Sequence, residues 1–100
     1  QGCSLQERDV GGNTCIIIST AYDQIEVIKW LLKNGSSLDE RNIEENTPVL
    51  IASRDSTLDT VKLLIEQGAS LSDRNKYGKT CILLACWEGN LETVKWLHEQ

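Results

Sequence analysis

The sequence predicts an all-α solenoid of stacked turn-helix-loop-helix repeats, and three observations lead there. The chain repeats itself every 33 residues: Thr14, Thr47 and Thr80 share one register, as do Leu5, Leu38 and Leu71, then Arg8, Arg41 and Arg74, then Ile28, Val61 and Val94, then Lys29, Lys62 and Lys95. A period in this range marks a repeat array. Within each period a polar turn precedes a short apolar run, and an amphipathic run follows a break. Aliphatic residues dominate, and Phe and Met are absent, a balance that suits packed helices.

The third unit shows the plan. Asn75-Lys76-Tyr77-Gly78 is a turn signature, because Asn and Gly tolerate positive φ. Thr80 is placed to cap a helix, and Cys81–Trp87 supplies a short apolar one. Glu88-Gly89-Asn90 breaks it. A second helix is predicted over Leu91–His98, with Leu91, Val94 and Leu97 on one face and Glu92, Lys95 and Glu99 largely opposite. In the second unit Thr47 caps and Pro48 takes the first helical position, where its missing N–H is no loss. The short helix is predicted over Val49–Ser53, the break at Ser56-Thr57 and the second helix over Asp59–Gln67, ending at Gly68. The first unit gives Thr14, then Cys15–Tyr22, a break at Asp23-Gln24, then Glu26–Asn34 and Gly35. Helices this short are marginal alone, so each must bury its apolar face on a neighbour.

This pattern resembles the ankyrin repeat. The resemblance rests on Asp9-Val10-Gly11-Gly12-Asn13-Thr14, on Thr47-Pro48-Val49-Leu50-Ile51-Ala52, on Gly78-Lys79-Thr80 with Leu84-Ala85, on Leu63–Ala69 and on Gly89–Val94, and it covers nearly all of the chain. It implies an ankyrin-type α-solenoid. The expected division is 1–7 as the tail of a preceding repeat, then repeats over 8–40, 41–73 and 74–100, the last incomplete at its end. The first unit carries Ile16, Ile17 and Ile18, as an internal repeat would, and the chain has no initiator Met, so it reads as an excerpt of a longer array. Three departures stand out: Ile17, Leu50 and Leu83 replace the family's His, so its buried polar network is missing. Glu45 replaces a turn Gly, and Cys15 and Cys81 replace Pro.

Composition narrows the function. One hundred residues allow one small domain, burying roughly 60–65% of its unfolded surface if it were a globule. A net charge of −5, with ten Lys and Arg interleaved among acids, lacks the basic field that phosphate binding requires. Nucleic acid and an anionic membrane surface are therefore not expected partners. No apolar run approaches the roughly 20 residues of a membrane span. Cys15 and Cys81 lie two repeats apart, roughly 16–20 Å at ordinary helix spacing, too far for a disulfide. With Cys3 and Cys86 they read as reduced thiols and an intracellular, cytoplasmic address.

No catalytic, cofactor or metal site is expected. Cys15 and Cys81 follow helix caps, where a thiol pKa can fall, but no base neighbours them and a small buried residue is the better account. The single His, His98, lies at the far end of its unit, and Cys81 and Cys86 lack metal-ligand spacing. The arginine row, Arg8, Arg41 and Arg74, is flanked by Glu7, Glu40, Asp73 and Asp9, so pairing locally or between repeats outweighs anion binding. Trp30 and Trp96 align with Leu63 on the second helices and read as partly buried outer-face residues.

What remains is binding. The resemblance implies partner contacts at the turn tips and on the exposed side of the first helices. By position these are Val10, Gly11 and Asn13, then Ile43, Glu44 and Asn46, then Lys76, Tyr77 and Lys79 at the tips. On the helices they are Ala21 and Tyr22, then Arg54 and Asp55, then Trp87 and Glu88. Tyr77 and Trp87 are the best anchors, since aromatics dominate binding hot spots, and Tyr22 and Arg54 extend the patch. The expected function is non-catalytic protein–protein binding, with no cofactor and a monomer in the full-length setting. A docking segment of a larger enzyme or channel and a spacer or self-associating array are the alternatives.

Overall fold

A computed structural model describes residues 2–100, and these are helical with no strands. Three helix pairs follow one another: α1 (Cys15–Ala21) with α2 (Ile25–Lys33), α3 (Pro48–Asp55) with α4 (Leu58–Glu66), and α5 (Cys81–Glu88) with α6 (Leu91–His98). The first helices, α1, α3 and α5, pack in series and form an inner layer. The second helices pack on their own partners and meet one another far less. The stack measures 45 × 26 × 19 Å.

Helix ends fall within a residue or two of the predicted ones. α3 differs most, continuing through Arg54 and Asp55 until the Ser56 N–H closes its last turn on the Ala52 carbonyl at 2.9 Å. In the third pair both helices have eight residues, so the second is not the longer there.

α3 is the most buried inner helix because α1 and α5 cover it on both sides. Ile16, Ile17, Leu31 and Ile51 form one buried cluster between the first and second pairs. Ile28, Leu50, Val61, Leu64, Leu84 and Leu97 belong to a second cluster that runs through the middle pair. The 33-residue comb sets which residues are equivalent, and a covering neighbour on each side sets depth. Leu50 is fully buried, whereas Leu83, in the same register on the last pair, is 49% exposed.

Polar ties stitch the repeats along both edges. Each turn closes on itself, with the N–H of Asp9, Asn42 and Asn75 donating to the carbonyls of Asn13, Asn46 and Lys79. The side-chain oxygen of the same residue accepts two backbone N–H groups within its turn. Neighbouring turns are joined by Ile43 N–H to the Gly11 carbonyl and Lys76 N–H to the Glu44 carbonyl, 2.9 and 3.0 Å. The amides of Asn42 and Asn75 donate across to Asn13 and Asn46, each at 3.0 Å. The arginine row belongs to this edge. Arg8 Nη1 donates to the carbonyls of Gly12 and Arg41, and Arg41 Nη1 to those of Glu45 and Arg74. These guanidiniums bind backbone between repeats, with Arg41–Asp73 as one ion pair at 3.9 Å. On the other edge Asp23, at φ 61°, accepts from the hydroxyls of Thr57 and Thr60, and Asn90 donates to the Ser53 carbonyl.

The turn glycines yield a graded prediction. Gly12, Glu45 and Gly78 occupy one register at φ 76°, 62° and 77°, where a side chain costs about 1–2 kcal/mol. Glu45→Gly is expected to raise stability by about 1 kcal/mol, and Gly78→Ala, whose Cβ would meet nothing, to lower it by a similar amount. Gly12→Ala is expected to be worse, because its Cβ would lie 2.9 Å from the Ile43 nitrogen and break into the inter-turn hydrogen bond. Urea melts of the three variants check the order.

The threonine caps need correction. Thr14, Thr47 and Thr80 do occupy the N-cap positions with extended backbone, but none makes a side-chain cap hydrogen bond. The hydroxyls of Thr14 and Thr47 are buried with no partner among the described residues. The residues three further on, Ile17 and Leu50, are buried aliphatics whose side chains offer no polar atom. An unpaired buried hydroxyl costs about 1–3 kcal/mol. Thr47→Val, which keeps the shape, is thus expected to raise the urea midpoint by the equivalent of about 1 kcal/mol.

Candidate functional site

The turns stand out beside the inner helices, and the angle between them encloses a groove of about 690 Å³. Its floor is Ile17 and Ile51 from α1 and α3, with Ile18, Ala21 and Tyr22 at one end. Its wall is the turns, contributing Asn13, Asn42, Ile43 and Glu44, and Lys76 and Tyr77 close the other end. A smaller pocket of about 290 Å³ continues the groove into the third unit, between Tyr77, Lys79, Leu84 and Trp87. Glu44, Arg54 and Tyr77 line both.

Exposure along this face is unusually apolar. Trp87 is 75% exposed, Tyr22 73%, Ile43 63% and Tyr77 59%, while Val10, fully exposed at its turn tip, lies outside the lining. Isolated apolar residues on a surface need no explanation, but a set of them lining one concavity marks an interaction site. Trp87 does not fold back as packing; its ring lies under the ammonium of Lys79, 3.9 Å from Nζ to the centroid. Lys76 lies 5.4 Å from the Tyr77 ring in the same way.

Arg54 sits in the middle and its charge is already used. Its Nε and Nη2 donate to the two carboxylate oxygens of Asp55, both at 2.9 Å, and Nη1 is 3.8 Å from Glu44. The Asp55 carboxylate, then its charge and those of Glu44 and Glu88, raise the guanidinium pKa further. Asp9, at the rim, is held below the usual carboxylate range, chiefly by the Asn13 N–H, then by its amide side chain and the Gly11 N–H.

Most of the residues expected to meet a partner therefore share one face. Asn46 does not. It is 1% exposed and its Oδ1 accepts from Asn75, so it belongs to the ladder inside the edge. Asn13 shares that role, although it still lines the groove. Ile18 and Ile51 line the groove without having been singled out from sequence. Their shared register with Leu84 was the available signal.

Elsewhere, Cys81 is buried and desolvation raises its thiol pKa, which opposes the activation a helix N-terminus could give. Trp96, with Lys62 over its ring, is partly buried, but Trp30 is 55% exposed, more open than expected. Among the described residues no group of His, Cys, Asp and Glu is placed to hold a metal, and no helix is long and apolar enough to cross a membrane.

A family model described as ankyrin repeats, in three copies, matches residues 16–100. No curated protein is significantly similar to the chain.

Proposed function

Because the chain belongs to the ankyrin repeat family, whose members are generally protein–protein interaction modules, we propose that it binds a protein partner, without catalysis, in the groove between its turns and inner helices. The observation that carries this reading is the co-location of Tyr22, Ile43, Tyr77 and Trp87, each more than half exposed, along one concavity. Nothing in the fold needs these side chains outside. Large aromatics in such a setting supply most of the affinity in interfaces that use them. The groove is built from packed helices and hydrogen-bonded turns, so little ordering is required on binding. The repeat division at 8–40, 41–73 and 74–100 and an intracellular address are part of the same reading.

The test is retention of a protein from cell extract by the immobilised chain, beside a Tyr77→Ala/Trp87→Ala double variant of matched melting temperature. A protein held by the first and lost by the second supports the groove. Identical retention by both places binding elsewhere on the stack.

A further inference from the structure

The groove carries a charge pattern that names its occupant's chemistry. We propose that it takes an extended acidic segment of the partner protein, with an apolar side chain between Ile18, Tyr22 and Ile43 and carboxylates meeting Lys76 and Lys79. This rests on the groove being the binding site.

Three observations point there. The acids that line the groove are already engaged: Glu44 faces Arg54, and Asp9 accepts the N–H groups of its own turn. The lysines are not; among the described residues neither Lys76 nor Lys79 enters an ion pair, and each lies only over an aromatic ring. The cations of the groove that lack an acidic partner are thus Lys76 and Lys79, both in the third-unit turn, although the chain as a whole is −5. Such a local cationic pair draws carboxylates to that end of the groove. Second, the Trp87 face is occupied by the protein's own ammonium. A cationic ligand would have to displace Lys79, whereas an anionic one adds to it. Third, the two ends differ. The first and second units offer Tyr22, Ile18 and Ile43, with no unpaired cation, and the third offers the two lysines. A ligand must therefore be amphipathic along its length. About twelve extended residues reach roughly 40 Å, comparable with the 45 Å long axis.

Panning a random twelve-residue peptide display library on the immobilised chain tests this. Peptides enriched about threefold in Asp and Glu alongside aliphatic or aromatic residues are expected. The best of them, as a labelled synthetic peptide, should weaken about tenfold or more with Lys76→Glu/Lys79→Glu and weaken as salt is raised. Lys76→Gln/Lys79→Gln should give a smaller loss and serves if charge reversal impairs folding. If selected peptides are lost with Tyr22→Ser/Ile43→Ser but carry no excess of acid, the groove reading stands and the acidic-segment proposal falls. If they are indifferent to both pairs of groove substitutions, both fall. Failure to select any peptide, or binding of a twelve-residue oligothymidylate lost with the lysines, overturns the acidic segment.

Discussion

Leu50→Ala is expected to destabilise the stack by about 3 kcal/mol, and Leu83→Ala, the same change in the same register, by less than about 1 kcal/mol. Leu50 is fully buried in α3 within the cluster that ties the middle pair to Ile28 of the first and Leu97 of the third. Removing its branched end leaves a cavity that helices held on both sides cannot close. Leu83 is 49% exposed, and truncating it opens no enclosed space. In a solenoid each repeat depends on its neighbours, so the loss at Leu50 undermines both interfaces. A domain this size shifts its melting point by roughly 4–8 °C per kcal/mol, so the two variants should melt at least about 10 °C apart. Circular dichroism melts settle the matter; equal losses would mean that coverage by a neighbour on each side does not set the cost.

The second large effect is on binding. Trp87→Ala and Tyr77→Ala are each expected to weaken the partner by about 2 kcal/mol, roughly thirtyfold in Kd, with melting unchanged. Both rings are mostly exposed in the free protein, so folding gains little from them. On binding they would be covered together with their lysines, and an aromatic ring supplies large apolar area at low entropic cost. Trp30→Ala is the control, since this ring is equally large, 55% exposed and on α2 away from the groove. It should leave Kd unchanged. Titration calorimetry against the retained partner measures all three.

Much of this was legible in the sequence, for a physical reason. Period 33 fixes which residues are equivalent, and equivalence carries the helix positions, the breaks and the face that each tip presents. Tyr22, Tyr77 and Trp87 could be placed on one surface without any coordinates because each follows from its register. What register does not carry is the partner of a polar side chain. Thr14 and Thr47 have good capping chemistry, yet their hydroxyls find nothing, because a cap needs geometry as well as residue type. Asn46 looked like a tip residue, and only the Asn75 amide 3.0 Å away shows it to be internal. Asp23 takes a left-handed conformation that its sequence does not announce. Its carboxylate lies against Thr57 and Thr60 of the next unit, a contact that depends on the stacking distance. Charge is similar: Lys76 and Arg54 look alike in sequence, but one is free and the other is locked to Asp55.

The central claim is that the turn-and-inner-helix groove is the surface a protein partner covers. Site-specific photo-crosslinking tests it most directly, with benzoylphenylalanine placed in turn at Tyr22 and at Tyr77 in the groove and at Trp30 on the outer layer. The account predicts a crosslinked partner band from positions 22 and 77 and none from position 30. A band from position 30 alone would place the partner on the outer helices and contradict it.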